Sequence, residues 1–246
     1  MNAIVFGATK GMGRAVARRL AERGDAVFLL GRDGVELSKS AADLEARSPG
    51  QAKSGVAVCD LADPAGFEPA LEAAFAALGR VDAVVVTAAR FDTQLALEDD
   101  TAKLRALLDA DFTATILFCE AARRRLLAQG GGTLCVFSSV AGDRGRKPVV
   151  LYGAAKAGLS AYLEGLDHKF HGQGLRVVCV KPGFVKTGMT AGLPPPPFAG
   201  DPDGVARTVV RAIDRGTPVV YAPPIWRWVL FVIRRLPRFV MRRIDF

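Results

Sequence analysis

Tyr152 and Lys156 stand four residues apart in the stretch LYGAAKAGL, and Ser139 precedes the tyrosine by 13 positions. On a helix, residues at i and i+4 share a face about one turn apart. A phenol ordinarily holds its proton up to a pH near 10, and an adjacent ammonium favours the phenolate and lowers that value. A hydroxyl close to both could donate a hydrogen bond to an oxygen on which charge develops. The chemistry such a trio suits is proton transfer to a carbonyl oxygen. The Tyr–Lys spacing alone is weak, since composition yields it by chance roughly 0.1 times in such a chain. A second cluster, GATKGMG, holds Gly7, Gly11 and Gly13 between an apolar run and a helical pattern. Glycines there let backbone approach a pyrophosphate at the start of a helix, whose N–H groups attract anions.

These groups need elements to position them. Apolar, Val-rich runs recur at Ala3–Phe6, Ala26–Leu30, Gly55–Cys59, Ala83–Thr87, Thr133–Phe137, Arg176–Val180 and Val219–Tyr221. Helical patterns lie between them at Met12–Arg23, Val35–Arg47, Pro64–Leu78, about Thr101 to Gln129, Val150–Phe170 and Pro202–Arg215. Strands apolar on both faces, alternating with helices, predict a parallel sheet covered on both sides. The expected fold is α/β: a single doubly wound Rossmann-type domain over residues 1–221 with a seven-stranded parallel sheet. A basic amphipathic tail follows over residues 222–246. No inter-domain linker interrupts the pattern, and Pro194–Pro197 reads as a stiff piece of surface flap.

Composition narrows the chemistry. Half of the 246 residues are hydrophobic, enough for a substantial core. Cys59, Cys119, Cys135 and Cys179 lack metal-ligand spacing and read as reduced core thiols. His168 and His171 are the two histidines, so a His-based metal site or a Ser-His-Asp triad is poorly supported. No metal is expected.

Several motifs in the same order resemble the short-chain dehydrogenase/reductase family. They are the glycine turn, Asp60-Leu61 after the third strand, Ser139, Tyr152/Lys156 and KPGFVKT at Lys181–Thr187. The resemblance implies a nicotinamide cofactor. It would be held by Gly7, Thr9, Lys10, Gly11, Met12 and Gly13 at the phosphates, and by Asp60 and Leu61 at the adenine. Ala88 would contact it after the fourth strand, and Pro182, Gly183, Val185 and Thr187 would sit at the nicotinamide. Arg32 at the end of the second strand, with Lys10, fits a 2′-phosphate and so NADPH, while the neighbouring Asp33 argues for NAD. The resemblance also implies roles: Tyr152 as general acid, Lys156 as its tuner and ribose anchor, Ser139 as donor to the carbonyl oxygen. Ser138 is expected to support the backbone. Members commonly pair into homodimers or homotetramers.

The chain departs from the family in three places. Phe6 stands where Thr is usual, and Val86-Thr87-Ala88-Ala89 replaces an Asn-Asn-Ala-Gly brace. Asp111 occupies the fourth catalytic position, normally Asn. A carboxylate lacks the amide's donor and adds a charge, so the proton relay to Lys156 is expected to be altered.

The net charge is +8, and +5 of it falls between Ile225 and Phe246, where six arginines face one acid. Val229, Ile233, Leu236, Val240 and Ile244 project to one side of a helical wheel, and Arg227, Arg234, Arg238 and Arg242 to the other. Pro237 should divide the segment into two short helices. No window reaches the ~18–20 uninterrupted apolar residues of a spanning helix. Two readings stay open: a tail lying on an anionic membrane, with Trp226 and Trp228 at the interface, or one packed on its own domain or a partner chain. A nucleic-acid role has no accompanying fold to support it. Arg144, Arg146 and Lys147 read either as an anion-binding rim at the site mouth or as a solvated loop. The tail and this loop resemble family members of the decaprenylphosphoryl-2-keto-pentose reductase type. That resemblance implies a lipid-linked ketosugar substrate, a flavin oxidase partner and a place on the inner face of the cell membrane. Reductases of 3-oxoacyl or 3-ketosphinganine chains are the same-class alternative, and a non-catalytic cofactor-binding membrane scaffold is the alternative of another class. The first strand begins by Ala3, which leaves no room for a signal peptide and makes a cytoplasmic location the expectation.

Overall fold

The computed structural model describes residues 1–50 and 54–245. The expected tail's last residue, Phe246, lies outside them. All seven expected strands form, with ends shifted by one or two residues: β1 Asn2–Phe6, β2 Ala26–Gly31, β3 Gly55–Val58, β4 Ala83–Val86, β5 Gly132–Phe137, β6 Leu175–Pro182 and β7 Val219–Ala222. They pair in parallel in the order β3-β2-β1-β4-β5-β6-β7. Strand order reverses beside β1, whose neighbours are β2 and β4, and ligands of open α/β sheets bind in the crevice beyond that switch point.

The strands' alternate side chains feed two cores. Ala3, Val5, Leu29, Val85 and Val180 pack under α1 (Gly11–Glu22), α2 (Gly34–Arg47) and α8 (Pro202–Arg215). Ile4, Leu30, Val84, Val136 and Val177 pack under α3 (Phe67–Leu78), α6 (Thr115–Ala128) and α7 (Val150–Phe170). The edge strands β3 and β7 are the exceptions to strands buried on both faces, because Val56 and Val58 of the first and Val219 of the second are exposed. All four cysteines are free and buried, and burial pushes the Cys59 thiol up to about 12.

The expected long helix forms with a π-type turn inside it, and one further short helix joins it. The long helix from Thr101 to Gln129 is α5 (Thr101–Leu108), a wider turn over Asp109–Ala114 with π-type bonding, and then α6. A short α4 (Gln94–Glu98), capped by Thr93, also precedes it, where the sequence reading assigned no element.

The tail divides at Pro237 into α9 (Trp226–Ile233) and α10 (Arg238–Met241). Val229, Ile233, Leu236, Val240 and Ile244 are buried or partly so, and Arg227, Arg234, Arg238 and Arg242 are exposed. The apolar side therefore packs on the chain's own domain, where Trp226, Leu230 and Ile233 cluster with Val140. Among the described residues no helix is long and apolar enough to cross a membrane.

Candidate active site

The glycine turn joins β1 to α1 at the crevice. Gly7 has φ of +89°, and a β-carbon on it would lie 2.6 Å from the Ala88 backbone nitrogen. A β-carbon on Gly13 would lie 2.2 Å from the Gly7 carbonyl oxygen. These two glycines let the turn, the head of α1 and the end of β4 close on one another. Thr87 braces the same point, its hydroxyl donating to the carbonyls of Phe6 at 2.9 Å and Gly7 at 3.2 Å. This is the brace that the Val86–Ala89 departure left in question. Gly11 has φ of +53°, and its missing β-carbon would lie 3.5 Å from the Thr187 methyl. Thr187 and the glycine turn thus face each other across the crevice.

Side chains cap α2, α4, α5 and α8, but the N-terminus of α1 has no such cap and no acid in its first turn. Its leading N–H groups are open to an anion. Thr9 and Met12 are partly buried, and Lys10 is exposed at the helix start. This arrangement fits a dinucleotide's pyrophosphate.

Beyond β2, an open depression of about 830 Å³ is lined by Arg32, Asp33, Gly34, Val35, Ser38 and Lys39. Asp33 accepts from the backbone N–H groups of Val35 and Glu36 through one oxygen, capping α2. At the end of β3, Asp60 is partly buried and accepts from the Ala62 N–H, beside buried Leu61. Gly183 follows β6 and donates to the Ala222 carbonyl, and Val185 is buried in the next loop.

The structure brings Ser139, Tyr152, Lys156 and Asp111 together. Lys156, 2% exposed, places Nζ 3.1 Å from Asp111 Oδ2, 3.4 Å from the Phe137 carbonyl oxygen and 5.6 Å from the Tyr152 ring centroid. Asp111 lies in the π-type turn, where its Oδ1 accepts from the Arg90 N–H at 2.6 Å. Ser139 begins a 3₁₀ turn over Val140–Asp143, and its Oγ accepts from the Ala141 N–H. Close contacts at Gly142 and Gly153 press this turn onto α7: their β-carbons would lie 2.6 Å from the Lys156 carbonyl carbon and 2.9 Å from the Ala141 oxygen. Ser138 supports backbone, its hydroxyl bonding to the Lys156 carbonyl.

The electrostatics differ from the simple Tyr–Lys expectation. Burial pushes the Tyr152 phenol upward; Lys156 pulls it down, Asp111 pushes it further up, and Ser139 pulls it down, leaving it raised. The direction is opposite to the expected net depression, because burial of the phenol outweighs the pull of Lys156 and Asp111 adds to the rise. For Lys156, burial acts downward, but Asp111 and Tyr152 outweigh it and hold the ammonium charged. Burial raises the Asp111 carboxyl against the pull of Lys156 and of the Arg90 N–H.

Sequence reasoning missed several neighbours. Phe91 stacks edge-on against Tyr152 with centroids 5.2 Å apart, and Gln94 accepts from the Leu151 N–H at the head of α7. Buried Asp143 accepts from Lys181 and from the Tyr221 hydroxyl. Arg144 donates to the Leu236 carbonyl and Lys147 to Asp245, so both are held by the tail. No group of metal-ligating side chains occurs among the described residues.

A family model described as short chain dehydrogenase matches residues 1–196. An uncharacterized oxidoreductase of Mycobacterium tuberculosis is 34% identical over 242 residues, covering 98% of this chain and 96% of its own. Carbonyl reductase family member 4 of Danio rerio is 33% identical over 192 residues, 78% of each chain. Among solved structures, a short-chain type dehydrogenase/reductase from Mycobacterium ulcerans superposes with a TM-score of 0.80 at 22% identity, covering 89% of this chain and 86% of that one. A variant of actinorhodin polyketide ketoreductase, solved with NADPH, gives 0.79 at 22% identity, covering 89% and 94%.

Proposed function

The chain belongs to the short-chain dehydrogenase family and is an oxidoreductase that binds a nicotinamide cofactor, and from that premise we propose that it uses NADPH to reduce a ketone to a secondary alcohol. The carrying observation is the buried Lys156–Asp111 pair beside Tyr152 and Ser139. When bound, the dihydronicotinamide supplies the hydride.

The chain's own residues do the rest. Tyr152 gives its proton to the carbonyl oxygen. The phenol is protonated at neutral pH, the state an acid requires, and burial raises it further. Lys156 has three N–H donors; two directions are taken by Asp111 and Phe137, leaving one for a ribose hydroxyl, while its charge acts on the phenol through space. Ser139 Oγ accepts from Ala141, and its hydrogen, shared with the Tyr152 oxygen, donates to the substrate oxygen. Asp111 tempers the lysine's pull on the phenol.

Gly7, Gly11 and Gly13, with Thr9, Lys10 and Met12, hold the pyrophosphate at α1. Asp60 and Leu61 hold the adenine, and Ala88, Pro182, Gly183, Val185 and Thr187 line the nicotinamide side. NADPH is preferred because Arg32, Ser38 and Lys39 border the depression beyond β2, while Asp33 uses one carboxylate oxygen to cap α2.

The substrate we favour is lipid-linked, of the polyprenyl-phosphate ketosugar kind, met peripherally on the inner face of the cell membrane and coupled to a flavin oxidase. Support comes from the tail's outward side. Trp228, Phe231, Val232 and Phe239 are exposed there beside Arg227 and Arg235, whose guanidinium groups lie over the Trp228 and Phe231 rings. Residues 1–221 would carry the chemistry and 222–246 the interface. A homodimer or homotetramer is supported by exposed Leu108, Phe112 and Leu117 along the interrupted long helix.

A cofactor-oxidation screen over ketones, lipid-phosphate ketosugars and 3-oxoacyl chains, run with NADPH and NADH, tests this reading. We expect ketone-dependent oxidation with NADPH preferred. Cofactor binding without turnover on any ketone would favour the scaffold alternative. Flotation with anionic liposomes tests the membrane part, which equal flotation of the full chain and a chain ending at Ala222 would contradict.

A further inference from the structure

The turn that carries Ser139 has few bonds of its own. The Ala141 N–H reaches the Ser139 hydroxyl, and the Gly142 N–H donates to the Ser139 carbonyl. Its inner side rests on α7 through Gly142 and Gly153. Its other side is covered by residues that come after the last strand. Val140, next to Ser139 and 4% exposed, shares a cluster with Trp226, Leu230 and Ile233. Trp226 is 6% exposed, and its indole stands so close to Gly183 that a β-carbon there would lie 2.0 Å from Nε1. One ring therefore belongs to the cluster that covers the Ser139 turn and abuts the glycine of the nicotinamide-side loop. Arg144 and Asp143 extend the same fastening to the Leu236 carbonyl and the Tyr221 hydroxyl.

We propose that Trp226 is a positioning residue for the reduction: lodged between Val140 and Gly183, it fixes where the Ser139 hydroxyl stands relative to the nicotinamide cradle. The inference rests on the reading of Ser139 as donor to the carbonyl oxygen. A displacement of about 1 Å in a reacting constellation can cost on the order of 10²-fold in rate. The effect belongs to the ring. The indole N–H is buried and has no hydrogen-bond acceptor, so phenylalanine loses no bond there and relieves an unpartnered donor. An alanine would leave the turn with a void on its outer side.

The test is a double-mutant cycle. kcat and KM for ketone-dependent NADPH oxidation, NADPH affinity and thermal midpoint are measured for Trp226→Ala, Trp226→Phe and Val140→Ala. Each is made in the native chain and with Ser139→Ala. If Trp226 acts through Ser139, the two losses do not multiply. We expect Trp226→Ala to lower kcat about tenfold or more alone and less than about twofold once Ser139 is gone, with NADPH affinity changed by less than about threefold. Trp226→Phe should keep kcat within about threefold of the native chain. Losses that multiply fully, or a Phe variant as poor as Ala, would overturn the proposal. Should Trp226→Ala fail to fold, Val140→Ala decides by the same cycle. A kcat loss of about threefold that disappears without Ser139 supports it, and no loss or a multiplying one overturns it. Ser139→Ala alone separates the premise from the inference. Native activity there defeats the reading of Ser139, whereas lost activity with an additive cycle defeats only the role of Trp226.

Discussion

The two walls of the crevice are built differently. The cofactor wall, β1 to β3 with the heads of α1 and α2, is made by residues close in sequence. Its glycine turn spans Gly7 to Gly13, and Asp33 caps the helix that begins at Gly34. The substrate wall is made by residues far apart. The Ser139–Lys147 stretch is pinned by Tyr221, Trp226, Leu236 and Asp245, and Lys156, beside Tyr152, pairs with a carboxylate from the turn between α5 and α6. A local wall can be specified by a short motif, whereas an assembled wall depends on packing between segments. Substitutions in the first should act on cofactor affinity, and those in the second on turnover.

Tyr152→Phe should break the contrast most sharply. It removes the proposed proton donor, and we expect kcat to fall by about 10²–10⁴-fold, with NADPH affinity, read by fluorescence, nearly unchanged. Gly13→Ala probes the opposite wall. Its β-carbon meets the Gly7 carbonyl at 2.2 Å, a clash of backbone that should cost about 1–3 kcal/mol in stability by thermal or denaturant unfolding and weaken both cofactors together. Arg32→Ala should raise the KM for NADPH about tenfold to a hundredfold while leaving that for NADH little changed, since one charge-assisted bond is lost. Lys147→Ala is the smallest. Its pair with Asp245 is 49% and 83% exposed, so stability and kcat should move by less than about 0.5 kcal/mol equivalent. A large effect there would mean that this exposed pair is a main fastening of the tail.

What could be read from sequence follows the same division. The strands, their parallel pairing and the glycine turn were legible because each is a local pattern of apolar period and punctuation. Tyr152, Lys156, Ser139 and Asp111 could be picked out by spacing, but their mutual effect could not. Asp111 looked like a change in a relay, and only the π-type turn at Asp109–Ala114 shows its carboxylate directly against Lys156. That turn has no signal of its own in a continuous helical pattern. The tail's period was correct and its split at Pro237 was legible, yet periodicity does not say what an apolar face covers. Here it covers Val140 and Gly183, residues more than 40 positions away.

The central claim is that a buried Lys156–Asp111 pair sets when Tyr152 gives up its proton. The direct measurement is the pH dependence of kcat/KM for ketone reduction in the native chain and in Asp111→Asn. A raised phenol pKa keeps the acid form present across neutral pH, so the native rate should fall only on the alkaline side. Removing the carboxylate takes away one of the two influences that raise the phenol, burial being the other, so the alkaline limb should move to lower pH in Asp111→Asn. A limb that stays where it is, or moves to higher pH, would contradict the account.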